Sequence, residues 1–250
     1  MIYSQTMRPT LFISDLHLCE SRPQVNALFF RFLKETAITA KALYILGDLF
    51  EYWIGDDQLD HDPLARKVVT ALRGVANSGV RIFFMHGNRD FLIGARFARE
   101  AGFTLLDDPT LIDLNEQRCL LLHGDTLCTD DVAYQSFRRQ ARDPAWQANV
   151  LAKQYDERMQ FAKRIREQSA SEKSLKAEDI MDVSPNTVEQ TFRDWAYPLM
   201  IHGHTHRPAM HAHEVDGRVC TRHVLADWHD AVQVLSFPPI DKNLITASTH

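Results

Sequence analysis

Five short apolar runs punctuate the chain, and each stops on a glycine or a polar residue: LFISD at 11–15, LYILGD at 43–48, RIFFMHGN at 81–88, CLLLHGD at 119–125 and LMIHGH at 199–204. They are apolar at consecutive positions, so they predict strands buried on both faces; a half-exposed strand would alternate apolar with polar. Between the first three runs lie stretches with the helical period, Gln24 to Thr39 and Pro63 to Asn77, the second opening on aspartate and proline as a helix start does. Strand alternating with helix predicts an α/β layered domain. Near the C-terminus, RVCTRHVLADW and AVQVLSF, separated by a turn-like HD, predict two antiparallel strands closing a sheet.

The pattern breaks between residues 133 and 185, a long polar stretch rich in Arg, Lys, Gln and Ala with no strand-like run. Trp146, Val150, Tyr155 and Met159 recur near the helical period, so this segment predicts two or more helices inserted between strands, with a loop near Ser169 to Lys176. A chain of 250 residues then reads as one domain, 1–250, carrying that insertion.

Composition adds exclusions. Hydrophobic residues at 45% and charged residues at 24% describe a globular protein rather than a disordered or fibrous one. The net charge of −5 provides no global basic field, and no basic groove interleaved with aromatics is visible, so no nucleic-acid partner is expected. Four cysteines at irregular spacing, with no CxxC pair, suggest neither a disulfide framework nor a cysteine zinc site, and a reducing compartment is expected. The longest apolar runs fall far short of the roughly 20 residues that span a bilayer as a helix. The unusual feature is twelve histidines beside thirty-three carboxylates.

The runs gather some of those residues. Asp15 and His17 end the first, Asp48 the second, Asn88 and Arg89 the third, His123 the fourth, and His204 and His206 the fifth. The carboxyl edge of a parallel sheet is where α/β domains build their sites, so five strand ends carrying oxygen and nitrogen donors predict one metal centre. Asp15, Asp48, Asn88, His17, His123, His204 and His206 supply about four donors to each of two ions when Asp48 bridges both. Imidazole, carboxylate and amide together suit Mn²⁺, Fe²⁺, Zn²⁺ or Co²⁺, and the donor set does not choose among them. Such ions bring the pKa of a bridging water near neutrality, and the resulting hydroxide attacks phosphorus in line with the leaving group. Arg89 keeps its proton and cannot act as a general acid, yet it neutralises phosphate oxygens; this favours cleavage of P–O–P, whose leaving group departs without a proton, over a phosphomonoester. His202 and His86 precede glycines but alternate away from the donors, so they read as core or backing histidines; Asp125 reads as a carboxylate behind a ligating imidazole.

In this order, DLH, GDLFE, GNRD, HGD and GHTH resemble the five motifs of the calcineurin-like metallophosphoesterases, over residues 11 to 206. The resemblance implies an αββα sandwich with a helical lid at 133–185, one ion on Asp15, His17, Asp48 and His206, and a second on Asp48, Asn88, His123 and His204. The longer strings FISDLHLC, YILGDLFEYWIGDD, HGNRDFLIG, LLHGDTLCTDD, IMDV and IHGHTHRPA resemble the branch that splits the pyrophosphate of UDP-2,3-diacylglucosamine in lipid A biosynthesis into UMP and 2,3-diacylglucosamine 1-phosphate. That branch implies Mn²⁺ as the metal and Asn88, Arg89, Asp131, Ser169, Lys173, Lys176 and His204 as substrate contacts, with acyl chains held between lid and core. It also implies a peripheral position on the cytoplasmic face of the inner membrane, with Arg138, Arg139, Arg142, Arg164 and Arg166 suited to meet anionic lipid. The lid string DPAWQANVLAKQYDERM departs from the branch in being less apolar, which bears on acyl preference. The alternative reading is a metallophosphoesterase acting on another nucleotide pyrophosphate or a phosphodiester.

Overall fold

The structure is a computed structural model that describes residues 8–175 and 182–240, with the side chains of 168–175 outside that description. Its first half alternates strand and helix: β1 (Thr10–Ile13), α1 (Pro23–Glu35), β2 (Ala42–Leu46), a short α2 (Gln58–His61), α3 (Pro63–Asn77), β3 (Arg81–Met85), α4 (Ala95–Ala101) and β4 (Phe103–Leu106). A hairpin of β5 (Thr110–Leu114) and β6 (Gln117–Leu121) leads to the helices α5 (Val132–Ala141), α6 (Pro144–Leu151) and α7 (Tyr155–Leu175). Then follow α8 (Pro185–Asp194), β7 (Leu199–His202), β8 (Ala209–Val215), β9 (Arg218–Val224) and β10 (Leu235–Phe237). No described helix is long and apolar enough to cross a membrane.

The strands form two five-stranded sheets, in the orders β10-β1-β2-β3-β4 and β5-β6-β7-β9-β8. β1 to β4 run parallel, and β6, β7 and β9 run parallel in the second sheet. Alternation along each strand then sorts the apolar side chains into layers. Phe12, Tyr44, Leu46 and Met85 point inward to meet Cys119, Leu121, Leu199 and Ile201 of the other sheet. Leu11, Ile13, Leu43 and Ile45 point outward into a core with Phe29 and Phe32 of α1, Val68 and Leu72 of α3 and Phe97 of α4. Beyond the second sheet, α8 packs Val188 and Phe192 against Leu120 and Met200. The result is an αββα sandwich. The α3 start holds as expected, because Asp62 caps it by accepting from Leu64 N (2.8 Å) and Ala65 N (3.2 Å).

Three expectations need correction. The first helix stops at Glu35, and residues 37–39 form a separate 3-10 turn. The two C-terminal strands do not pair with each other: β9 lies between β7 and β8, whereas β10 crosses to the first sheet and pairs antiparallel with β1. β9's hairpin partner is β8, joined through Asp216 and Gly217 at φ 53° and 72°. An Asp-Gly pair supplies the left-handed conformations that a tight hairpin requires, and it was the stronger turn signal. Finally, the expected loop from Ser169 is helical through Leu175, since QSASEKSL holds good helix formers and neither glycine nor proline.

The inserted helices fasten to the core through arginines. Arg138 Nε donates to Asp125 (2.8 Å) and its Nη2 to Asp108 (3.2 Å), while Arg142 Nη2 donates to the carbonyls of Gly87 (2.9 Å) and His86 (3.3 Å). Arg158 Nη1 donates to Ile54 O (2.6 Å) and Asp57 Oδ1 (2.9 Å), and Arg166 pairs with Glu51. Of the five arginines expected to face lipid, Arg138, Arg142 and Arg166 are thus committed inward; Arg139 and Arg164 are exposed. Trp146 of α6 sits where these helices meet, 6.4 Å from Phe137, 6.1 Å from Phe161 and 6.2 Å from Phe91 of the core.

Candidate metal centre

The loops after β1, β2, β3, β6 and β7 converge at one edge of the sandwich, and they do so in unusual backbone conformations. Asp15 (φ 55°), His17 (52°), Asp48 (54°), His204 (69°) and His206 (55°) are all left-handed. Such conformations are uncommon outside glycine and cost on the order of 1–3 kcal/mol each, so their concentration here marks a site held in place by its surroundings. Two glycines let the loops close on one another: a Cβ on Gly87 would overlap Asp48 Oδ1, and one on Gly203 would overlap Asp15 Oδ2.

Asp15 is fully buried, and its oxygens have different duties. Oδ2 accepts from Ser14 Oγ (2.6 Å) and His204 N (2.9 Å), whereas Oδ1 has no hydrogen bond and lies 3.4 Å from His206 Nε2. His17 Nε2 stands 3.4 Å from that same imidazole nitrogen. Asp48 turns one oxygen each way, Oδ2 at 3.9 Å from His17 Nε2 and Oδ1 at 3.9 Å from His123 Nε2. Two donor groups result, Asp15 with His17 and His206, and Asp15 with Asp48 and His123.

Asn88 joins the second group. Its Oδ1 lies 3.0 Å from both His123 Nε2 and His204 Nδ1. His123 Nδ1 donates to Leu46 O (2.8 Å), so a neutral His123 directs its Nε2 lone pair at that oxygen, an arrangement that a cation between them would stabilise. Turned over, the amide NH₂ donates to both imidazoles and to Asp48 Oδ2 (3.1 Å), and its oxygen accepts from Arg89 Nε (3.3 Å). The orphaned Asp15 oxygen and the converging lone pairs fit divalent cations, and the mixture of imidazole, carboxylate and amide suits transition-metal ions. The structure therefore brings together all seven residues expected to ligate metal.

Electrostatics follow from burial. Desolvation pushes His17 down to about 3 and, with help from His123, His204 down to about 4, so both are neutral donors near neutrality. Burial also opposes charge on His123, but Asp48, Asp125 and Asp15 outweigh it and raise this imidazole to about 9. His206 is raised in the same way by Asp15 and Asp227 against its own burial. Burial lifts Asp48 above the usual carboxylate range. Asp15 is also pushed up by burial, yet the His206 contact and the charges of the three neighbouring imidazoles leave it below that range.

Other expected residues divide. Arg89 donates its backbone N–H to Asp48 Oδ1 (2.8 Å) and its side chain lines a pocket with Asn88. Asp90 accepts from the backbone N–H groups of Leu49 (2.7 Å), Gly87 (2.9 Å) and Asp48 (3.3 Å), bracing the second loop against the third. Asp131 caps α5 by accepting from Tyr134 N (3.0 Å), and Tyr134 stacks on His204 with centroids 5.8 Å apart. Ser169 and Lys173 lie on α7 but their side chains, and all of Lys176, are outside the described residues. His202 is buried and non-ligating, with Nδ1 donating to Gly203 O (2.8 Å) and Nε2 accepting from Arg222 (2.9 Å); His86 lies within hydrogen-bond distance of Ile93 O (2.7 Å). Asp125 does not back an imidazole as expected: it accepts from Tyr134 Oη (2.5 Å) and Arg138. That duty falls to Asp227, 3.2 Å from His206 Nδ1, which no spacing signal marked because it follows β9, well separated from the motifs.

Beside the donors opens an apolar pocket of about 550 Å³, including the space at its mouth. Phe91, Leu92, Phe137, Trp146, Phe161 and Ile165 line it, with Glu51, Asn88, Arg89, Arg158 and Arg166 among its polar members.

The model of the calcineurin-like phosphoesterases matches residues 8–208, and the chain belongs to this family of metal-dependent hydrolases. Among its relatives, the UDP-2,3-diacylglucosamine hydrolase of Aromatoleum aromaticum is 55% identical over 234 residues, 92% of this chain and 95% of the relative. Proteins of the same name from Stenotrophomonas maltophilia (strain K279a) and Xanthomonas campestris pv. campestris (strain ATCC 33913) are 51% and 52% identical, each over 90% of this chain and 93% and 94% of their own lengths.

Proposed function

We propose that the chain hydrolyses the pyrophosphate of UDP-2,3-diacylglucosamine to UMP and 2,3-diacylglucosamine 1-phosphate, with two divalent ions of the Mn²⁺ type, at the cytoplasmic face of the inner membrane. The observation that carries this reading is the pocket beside the candidate metal donors, apolar along its walls and bordered by Asn88 and Arg89. A polar diester or a nucleotide alone has no use for such walls; a lipid with a phosphate head uses both ends. When bound, the ions draw charge from the phosphoryl oxygens and make a hydroxide available near pH 7. The Arg89 guanidinium holds pyrophosphate oxygens and neutralises charge as the bridging P–O bond lengthens. A phosphate leaving group needs no proton, so an arginine that cannot act as a general acid next to Asn88 costs the reaction nothing. The lid helices cover the acyl chains and keep bulk water from the pocket. Exposed Val132 and Leu151, with Arg139 and Arg164, are among the described lid residues open to an anionic lipid surface.

The test is to incubate purified protein and Mn²⁺ with UDP-2,3-diacylglucosamine, ADP-ribose and bis(p-nitrophenyl) phosphate. UMP release from the lipid should exceed turnover of the others by at least about two orders of magnitude, since only the lipid fills the pocket. Preferred turnover of either small substrate would replace this reading with the general metallophosphoesterase one.

A further inference from the structure

Glu51 lies outside the donor set, three residues beyond Asp48, and its two oxygens face different partners. Oε2 is 3.4 Å from His17 Nδ1, a buried nitrogen with no hydrogen bond in this geometry, while Oε1 pairs with Arg166 of α7. The opposite nitrogen of His17, Nε2, is the one that faces His206 and Asp48. An imidazole that donates to metal through Nε2 keeps its proton on Nδ1, and a carboxylate behind that proton fixes tautomer and ring orientation and makes the imidazole a better donor. Asp227 stands in this relation to His206, whereas His123 is backed by a carbonyl, Leu46 O. Glu51 differs from both because the lid holds its second oxygen, and because it and Arg166 line the same pocket as Arg89.

We infer that Glu51 is a positioning residue joining two parts of the protein: it aligns His17 for the ion at Asp15, His17 and His206, and it anchors α7 over the pocket. One carboxylate then links the grip on that ion to the position of the lid. The inference rests on the two-ion reading of the site. Its test is a Mn²⁺ titration of the metal-free full chain, free Mn²⁺ being read by electron paramagnetic resonance, with limited proteolysis of the lid alongside.

Glu51→Ala should weaken one of two Mn²⁺ sites by about 10–100-fold and leave the other within about threefold, with Glu51→Asp recovering part of the loss. Arg166→Gln should leave both sites within about threefold of wild type and speed cleavage within the lid by about threefold or more, because only the lid side of the link is cut. Wild-type affinity at both sites in Glu51→Ala, equal weakening of both, or wild-type cleavage in Arg166→Gln would overturn the inference. Should Glu51→Ala fail to fold, Glu51→Gln, with the same volume and no charge, carries the same comparison. Wild-type protein that holds fewer than two Mn²⁺ ions would instead defeat the two-ion reading beneath it.

Discussion

At the residue scale, Asp48 is the position on which the centre turns, since its two oxygens face His17 and His123 separately. Asp48→Ala should lower kcat by at least about three orders of magnitude, a loss equivalent to several kcal/mol, with the thermal midpoint little changed; steady-state kinetics beside a melting curve checks both. Protons give a second prediction. His123, raised to about 9, is largely protonated at pH 7 without metal, and His206 is raised above its ordinary value, whereas a nitrogen that binds metal must be bare. Metal binding should therefore release about one proton at pH 7, weaken as pH falls, and release fewer protons as pH rises past about 9. Mn²⁺ calorimetry in buffers of different ionisation enthalpy reads that number directly. The candidate metal donors were legible because their types and strand-end positions are local facts. Asp227, Asp90 and the Arg222–His202 contact were not, because they bring distant segments together and leave no mark on spacing.

At the element scale, the buried strands announced themselves through unbroken apolar runs, and α3 through its cap. The edge strands β5 and β8 were missed because they are half exposed and carry polar residues, an exposed aspartate within TLIDL in the first and histidines in the second. The lid's docking was also illegible: arginines on a polar helix read as solvated, yet four of them grip the core. Arg158 is buried at 4% exposure, while its partner Asp57 is partly open to solvent. Arg158→Ala should accordingly cost about 1–2 kcal/mol of lid attachment rather than the full penalty of a buried pair. In kinetics this should appear as a rise in KM of about fivefold or more with a smaller change in kcat, since the pocket walls loosen while the donors stay in place.

At the scale of the whole molecule, the net charge of −5 says little about where the protein can touch a lipid surface, because the lid's basic residues are divided between inward pairs and an exposed remainder. Co-flotation with vesicles containing anionic lipid should fall by about threefold or more in the double variant Arg139→Glu, Arg164→Glu, and should be screened by salt, with turnover of a short-chain soluble substrate retained. The layered architecture was readable from the alternation of strand and helix, but the exchange of β10 into the first sheet was not, because pairing partners depend on the assembled sandwich.

The centre draws its donors from Asp15 at one end of the sequence to His206 near the other, and from strands of both sheets. No partly folded chain with the sheets apart can offer that set, so an ion has nothing to hold until folding is nearly finished. Divalent metal should act as a kinetic lock, slowing unfolding while leaving the refolding rate almost unchanged; the two arms of a denaturant chevron, with and without Mn²⁺, separate these effects.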